Sequence, residues 1–180
     1  ASLFQKDEMQ EQAMVRSLLE FGTKPWNDEQ KVADFIFEQL DDNELEKQID
    51  NPLLIEIIRT YKKWYDEGLE PTAKNFLYHE DQHLHSFIIN MMDVNTEISP
   101  NWKEHYEGHI PTRDELFREE VISTLNYLKL RKIKRLIADN QLDLEKSENA
   151  EEQLIFLQVH QHLKQLEIEL TRAMGTVIYK

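Results

Sequence analysis

Apolar residues recur at three-and-four spacing along most of the chain, and the alternation a strand needs is not found over any useful length, so the pattern predicts an all-α fold. The spacing predicts a first helix over about Gln5 to Phe21, with Met9, Ala13, Leu18 and Phe21 inward, Gly22 at its end and Pro25 breaking the chain after it. Asn27 with Gln30 forms a capping-box pattern ahead of Val32, Phe35, Ile36 and Leu40. Asn51 and Pro52 form an N-cap and first-turn pair for the clearest stripe, Leu54, Ile57, Ile58, Tyr61, Trp64 and Tyr65, which stops at Gly68. A short helix around Phe76 and another through Leu84, Phe87, Ile88, Met91 and Met92 follow. Pro100, Gly108 and Pro111 then mark a loop, the best candidate boundary before the C-terminal helices.

From Thr112 to Met174 there is neither Gly nor Pro. Thr112 with Glu115 opens a helix predicted to run to about Asn140, a rod of roughly 40 Å. Its apolar stripe changes sides. At about 100° per residue, Phe117, Val121, Leu125 and Leu128 share one face, and Leu130, Ile133, Ile137 and Leu144 share nearly the opposite one. One helix is therefore expected to close a bundle with its first half and pair with a last helix through its second. That last helix is predicted over about Ala150 to Met174, capped by Asn149 with Glu152. Its inner seam is read as Phe156, Val159, Leu163, Leu166, Leu170 and Ala173. Leu154, Leu157 and Ile168 lie off the seam, free to meet either the bundle or a partner. The organisation expected is a bundle over residues 1–128 and an antiparallel hairpin over 129–180.

Composition changes this picture only by exclusion. A chain of 180 residues can bury one ordinary core, alone or with a smaller appendage, and 40% hydrophobic with 31% charged residues is a folding composition. A formal net charge of −14 excludes a nucleic-acid-coating surface over the whole molecule and leaves room only for local contact. No run approaches a membrane span, the first twenty residues lack signal-peptide order, and the expected location is the cytoplasm. Zero Cys removes disulfides and thiolate chemistry, and the absence of an initial Met suggests a piece of a longer protein.

Candidate chemistry is sparse. His79-Glu80-Asp81-Gln82-His83 matches the HExxH pattern, in which two His one turn apart hold zinc and the Glu acts as base. Against it, Asp81 puts a charge between Glu and the second His, and a third ligand from His85, His105 or His109 has no placement. The plain reading is a solvated helix start. A di-metal carboxylate bundle needs two Glu-x-x-His pairs and only Glu80 to His83 is present, so neither cofactor nor metal is expected. No nucleophile elbow or phosphate loop occurs. Lys129, Arg131, Lys132, Lys134 and Arg135 give five bases without an acid where the stripe changes sides. They read as solvated helix or, more sharply, as an anion site for an acidic tail or a phosphate backbone. Tyr61, Trp64 and Tyr65 share the apolar face and read as core rather than as a base-stacking platform.

Several stretches together resemble the C-terminal region of bacterial DNA primase of the DnaG type: Asn51-Pro52-Leu53 through Ile58, Tyr61 to Tyr65, Pro71-Thr72 to Phe76, His79-Glu80-Asp81, Ser99-Pro100-Asn101-Trp102, Leu125 to Lys129, and Leu170 to Lys180. The resemblance spans essentially the whole chain. It implies a helical bundle followed by a hairpin that binds the N-terminal domain of the hexameric replicative helicase and brings primase to the fork. It also implies, for some members, contact with the acidic tail of the single-stranded-DNA-binding protein. The zinc module and acidic metal site of such primases are absent, so this piece is not expected to synthesise primers. The contact residues expected, chosen off the seam or beyond the helix end, are Leu157, Gln161, Lys164, Gln165, Ile168, Arg172 and Tyr179. The rival functions are a small zinc hydrolase on the HExxH segment and a self-associating helical module.

Overall fold

The computed structural model describes residues 3–78, 81–92 and 113–178. It is all-α. Helices α1 (Leu3–Phe21), α2 (Val32–Asp42), α3 (Pro52–Asp66), α4 (Ala73–Phe76) and α5 (Gln82–Met92), with a 3-10 turn at Leu45–Gln48, precede the two long helices α6 (Arg113–Lys146) and α7 (Ala150–Ile178). Among the described residues the only extended pairing is an isolated bridge between Pro25 and Lys31.

The ends of the helices follow from local chemistry. Asn51 caps α3, its side chain accepting from the Leu53 N–H at 2.9 Å with Pro52 in the first turn. Thr72 caps α4 and Asp81 caps α5, the latter accepting from the His83 N–H at 2.9 Å. The cap of α2 differs from the sequence expectation. Asn27 instead folds the preceding turn, accepting from the Glu29 and Gln30 N–H groups, and α2 starts at Val32, where the Asp34 carboxylate accepts from the Lys31 N–H at 2.8 Å. Gly22 ends α1 for a steric reason: a Cβ there would run into the Tyr61 hydroxyl and the Leu18 carbonyl. The caps expected from Thr112 with Glu115, and the loop at Pro100, Gly108 and Pro111, lie outside the described residues.

One apolar core joins α1 to α5 with the first half of α6. Met14, Leu18, Val32, Ile36, Leu54, Ile57, Tyr61, Phe76, Leu84 and Ile88 are almost fully buried in it, together with Val121, Leu125 and Leu128 of α6. Phe117 packs on the edge of this core and stacks on Phe21 at 5.2 Å. The aromatic residues of α3 are structural, as expected: Tyr61 is buried, Trp64 packs against Phe76 at 4.6 Å, and the Tyr65 hydroxyl donates to Asp34 at 2.8 Å. Met9, expected inward, is 67% exposed.

Beyond Leu128 the apolar contacts change partner. Ile137 and, on α7, Leu163 are buried outside the bundle core, and the Asn140 side chain donates to the Phe156 carbonyl at 2.9 Å, fixing the antiparallel register. α6 is longer than expected, running to Lys146, and Ser147, Glu148 and Asn149 make the turn. Asn149 caps α7 through the Glu151 N–H at 2.9 Å, whereas the Glu152 carboxylate is taken by the Ser147 hydroxyl at 3.2 Å rather than closing a capping box. α7 continues through Gly175 to Ile178.

Candidate functional site

The covered face of α7 consists of Gln153, Phe156, His160, Leu163, Leu166, Glu167, Leu170 and Met174. This corrects the expected seam at two places. Val159 is 39% exposed and Ala173 is also outside, while His160 and Met174 take the inner positions. The covered line of α7 steps by three and four residues through Phe156, His160, Leu163, Leu166, Leu170 and Met174, and His160 rather than Val159 fills the step after Phe156.

α7 packs along α6, and the bundle helices reach it at few points. Most of its circumference is therefore open. Leu154, Ile155, Leu157, Val159 and Ile168 are 39–58% exposed, a density of large apolar side chains unusual for a solvent-facing helix. Of the seven expected contact residues, Leu157, Gln161, Lys164, Gln165, Ile168 and Arg172 are all exposed, and Tyr179 lies outside the described residues. The sequence reading passed over Ile155 and, on α6, Leu136 and Leu142, and it placed Val159 in the seam; all four are exposed. Two of these, Val159 and Leu136, disguise themselves because their spacing fits a seam.

The five-base run has a role that neither sequence reading anticipated. Arg131 is buried; its guanidinium ion-pairs with Glu11 and donates to the Gln48 and Asp7 carbonyls. Glu11, itself buried, also accepts from the Asp50 N–H at 2.7 Å. Lys129 donates to the Gln39 side chain at 2.8 Å, and burial pushes its ammonium pKa down. Lys132 donates to the Asn43 carbonyl at 2.6 Å. Arg135 grips Asp50 with 2.8 and 3.0 Å bonds. Four bases thus tie α6 to α1, α2, the 3-10 turn and the lead-in to α3. Arg131 and Arg135 converge on Gln48 and Asp50, Lys129 and Lys132 reach the α2 end, and the acids that receive the two arginines, Glu11 and Asp50, lie far away in sequence. As an anion site the run has Lys134 left, exposed and without an ion pair among the described residues.

Among the described residues no constellation of catalytic type accompanies these features. Among the described residues no group of three or more His, Asp or Glu is placed to hold a metal. His83 is exposed at the start of α5, while His79, Glu80, His105 and His109 lie outside the described residues. Two open surface depressions, of about 360 and 350 Å³, occur, one along α3 lined by Pro52, Ile55, Glu56, Arg59 and Thr60 and the other around the α3–α4 connection lined by Trp64, Leu69, Glu70, Asn75 and Tyr78. Among the described residues the largest pKa displacements belong to structural tyrosines. Burial, then the like-charged neighbours Tyr65 and Asp34, raises Tyr61; burial and the bond to Asp34 push Tyr65 up to about 12. No helix among the described residues is long and apolar enough to cross a membrane.

The family described as "Domain of unknown function (DUF8430)" matches residues 2–177, and the chain belongs to it. No curated protein and no solved structure matches the chain.

Proposed function

We propose that this member of the DUF8430 family is a non-catalytic docking module: the C-terminal domain of a DNA primase, which binds the N-terminal domain of the hexameric replicative helicase and recruits primase to the replication fork for RNA primer synthesis. The observation that carries the docking role is the outer face of α7. Leu157 and Ile168, at 48% and 47% exposure, sit among Gln161, Lys164, Gln165 and Arg172 on a helix held rigidly along one side only. Half-exposed aliphatic anchors with a polar surround are what a helix offers to a protein groove. The resemblance to primase supports the identity of the partner, and the bundle-plus-hairpin architecture agrees with it. A cytoplasmic location belongs to the same proposal.

The test is a titration of the purified helicase N-terminal domain with this chain and with a Leu157→Ser/Ile168→Ser variant. Saturable binding that weakens by about 2 kcal/mol or more in the variant, with unchanged helicity and melting, is expected of anchor residues. Equal binding by both proteins would place the contact elsewhere, and no binding by either would remove the helicase as the partner.

A further inference from the structure

The charge distribution of the hairpin indicates what kind of surface covers it. Acids are spread through the chain at 35 in 180 residues, yet none occurs from Val121 to Ala138 on α6 or from Gln153 to Leu166 on α7. Counting outward from the Asn140–Phe156 bond, the antiparallel register sets residues 130–138 level with 158–166. The two acid-free stretches therefore lie side by side, and the middle of the hairpin is an acid-free belt on a strongly acidic protein.

On this belt the bases divide by side. Lys129, Arg131, Lys132 and Arg135 are turned to the bundle and held there. Lys134 is not. At about 100° per residue it turns to the side of the hairpin that also carries Leu157, Lys164 and Ile168. Lys164 meets Glu167 at 3.4 Å but remains nearly half exposed, and Arg172 extends the same face outward. This face combines aliphatic anchors about three turns apart with three exposed cations, Lys134, Lys164 and Arg172, of which Lys164 is shared with Glu167 of its own helix.

We infer that this face is the seat of an acidic amphipathic helix of a partner protein, its apolar stripe on Leu157 and Ile168 and its carboxylates on Lys134, Lys164 and Arg172. The inference rests on the docking reading above and gives the partner surface its chemistry. A nucleic-acid backbone is the poorer occupant, because three scattered cations release few counterions and the exposed Leu and Ile would face phosphates. A second copy of this chain would bring its own belt of bases against this one, with like charges apposed.

Two synthetic helical peptides test this on the full chain. Both carry Leu at i, i+3, i+4 and i+7 spacing; one has Glu and the other Lys at the remaining positions. The acidic peptide is expected to bind saturably, at least about tenfold more tightly than the basic one, and progressively less tightly as salt rises. Lys134→Glu/Lys164→Glu is expected to cost about tenfold or more in that affinity with the circular-dichroism melt unchanged, and Lys134→Gln/Lys164→Gln a smaller loss in the same direction. Equal binding of the two peptides, no saturable binding of the acidic one, or indifference to both double variants would overturn the inference. So would a concentration-dependent dimer in sedimentation that Leu157→Ser/Ile168→Ser abolishes, since the face would then be covered by its own copy. The helicase domain separates this inference from the reading it rests on. If that domain binds wild type and charge-reversed chain alike, the face chemistry fails and recruitment stands. If it binds neither while the acidic peptide binds wild type, recruitment by helicase fails and the face stands.

Discussion

The bundle and the hairpin are built from the same aliphatic residues but bury them very differently. In the bundle each helix meets neighbours on two or more sides, so Leu18, Ile36, Leu54, Ile57 and Leu125 lose nearly all contact with water. In the hairpin α7 has α6 as its chief neighbour, so one stripe of α7 is covered and the remainder must face solvent whatever its sequence. On such a remainder a stable, soluble helix ordinarily carries charged and polar residues. Here it carries Leu154, Ile155, Leu157, Val159 and Ile168. The contrast teaches that the bundle is where stability is made and that the hairpin's composition answers to something outside the chain.

The joint between the two regions is the most sensitive place to break that contrast. Between Leu128, the last bundle-core residue of α6, and Ile137, the attachment of α6 to the bundle is dominated by the bonds of Lys129, Arg131, Lys132 and Arg135. Arg131→Ala would leave Glu11 buried with only the Asp50 N–H for company, and a loss of about 3–5 kcal/mol in urea unfolding is expected. Replacing both partners with Met should recover much of it, because the cost lies in the uncompensated charge rather than in the absent pair. A core pair comes next. Leu54→Ala should cost about 3–5 kcal/mol and Leu163→Ala about 2–3, since the hairpin cavity opens to solvent on one side and can collapse more easily. Equal costs would mean that the hairpin is packed as tightly as the bundle. Asn51→Ala should cost about 1 kcal/mol through the lost cap of α3.

A pH measurement bears on the bundle alone. Tyr65 titrates at about 12 when folded and near 10 when unfolded, so the unfolded chain binds fewer protons in between. Stability from this group is fully present below about pH 10 and falls as pH rises toward 12. Tyrosinate absorbance should accordingly show two of the six tyrosines, Tyr61 and Tyr65, ionising late and together with unfolding. Removal of the Asp34 acceptor by Asp34→Ala should bring Tyr65 down toward its ordinary value. The smallest effect is on the outer face: Leu157→Ser and Ile168→Ser should each change stability by no more than about 0.5 kcal/mol.

Much of the fold was legible because periodicity is a property of the chain itself. The switch of stripe between Leu128 and Leu130 gives the shared helix directly, and Asn51 with Pro52 announces the start of α3 through hydrogen bonds made within the same few residues. What was not legible depended on distant partners. Nothing local distinguishes Arg131, which ends up buried against Glu11, from Lys134 three residues on, which faces water. The seam of α7 was misread at Val159 because apolar character stood in for position, and the inner place went to the polar neighbour His160. The docking face was legible only in part: Leu157 and Ile168 could be set aside as off-seam, but their exposure depends on how little the bundle reaches α7.

Amide hydrogen exchange of this chain, free and saturated with the helicase N-terminal domain, tests the central claim most directly. New protection is expected to concentrate in residues 153–172 of α7, with α1 to α5 unchanged. Protection confined to the surface of α3 around Ile55 and Arg59, with α7 exchanging as in the free chain, would contradict it.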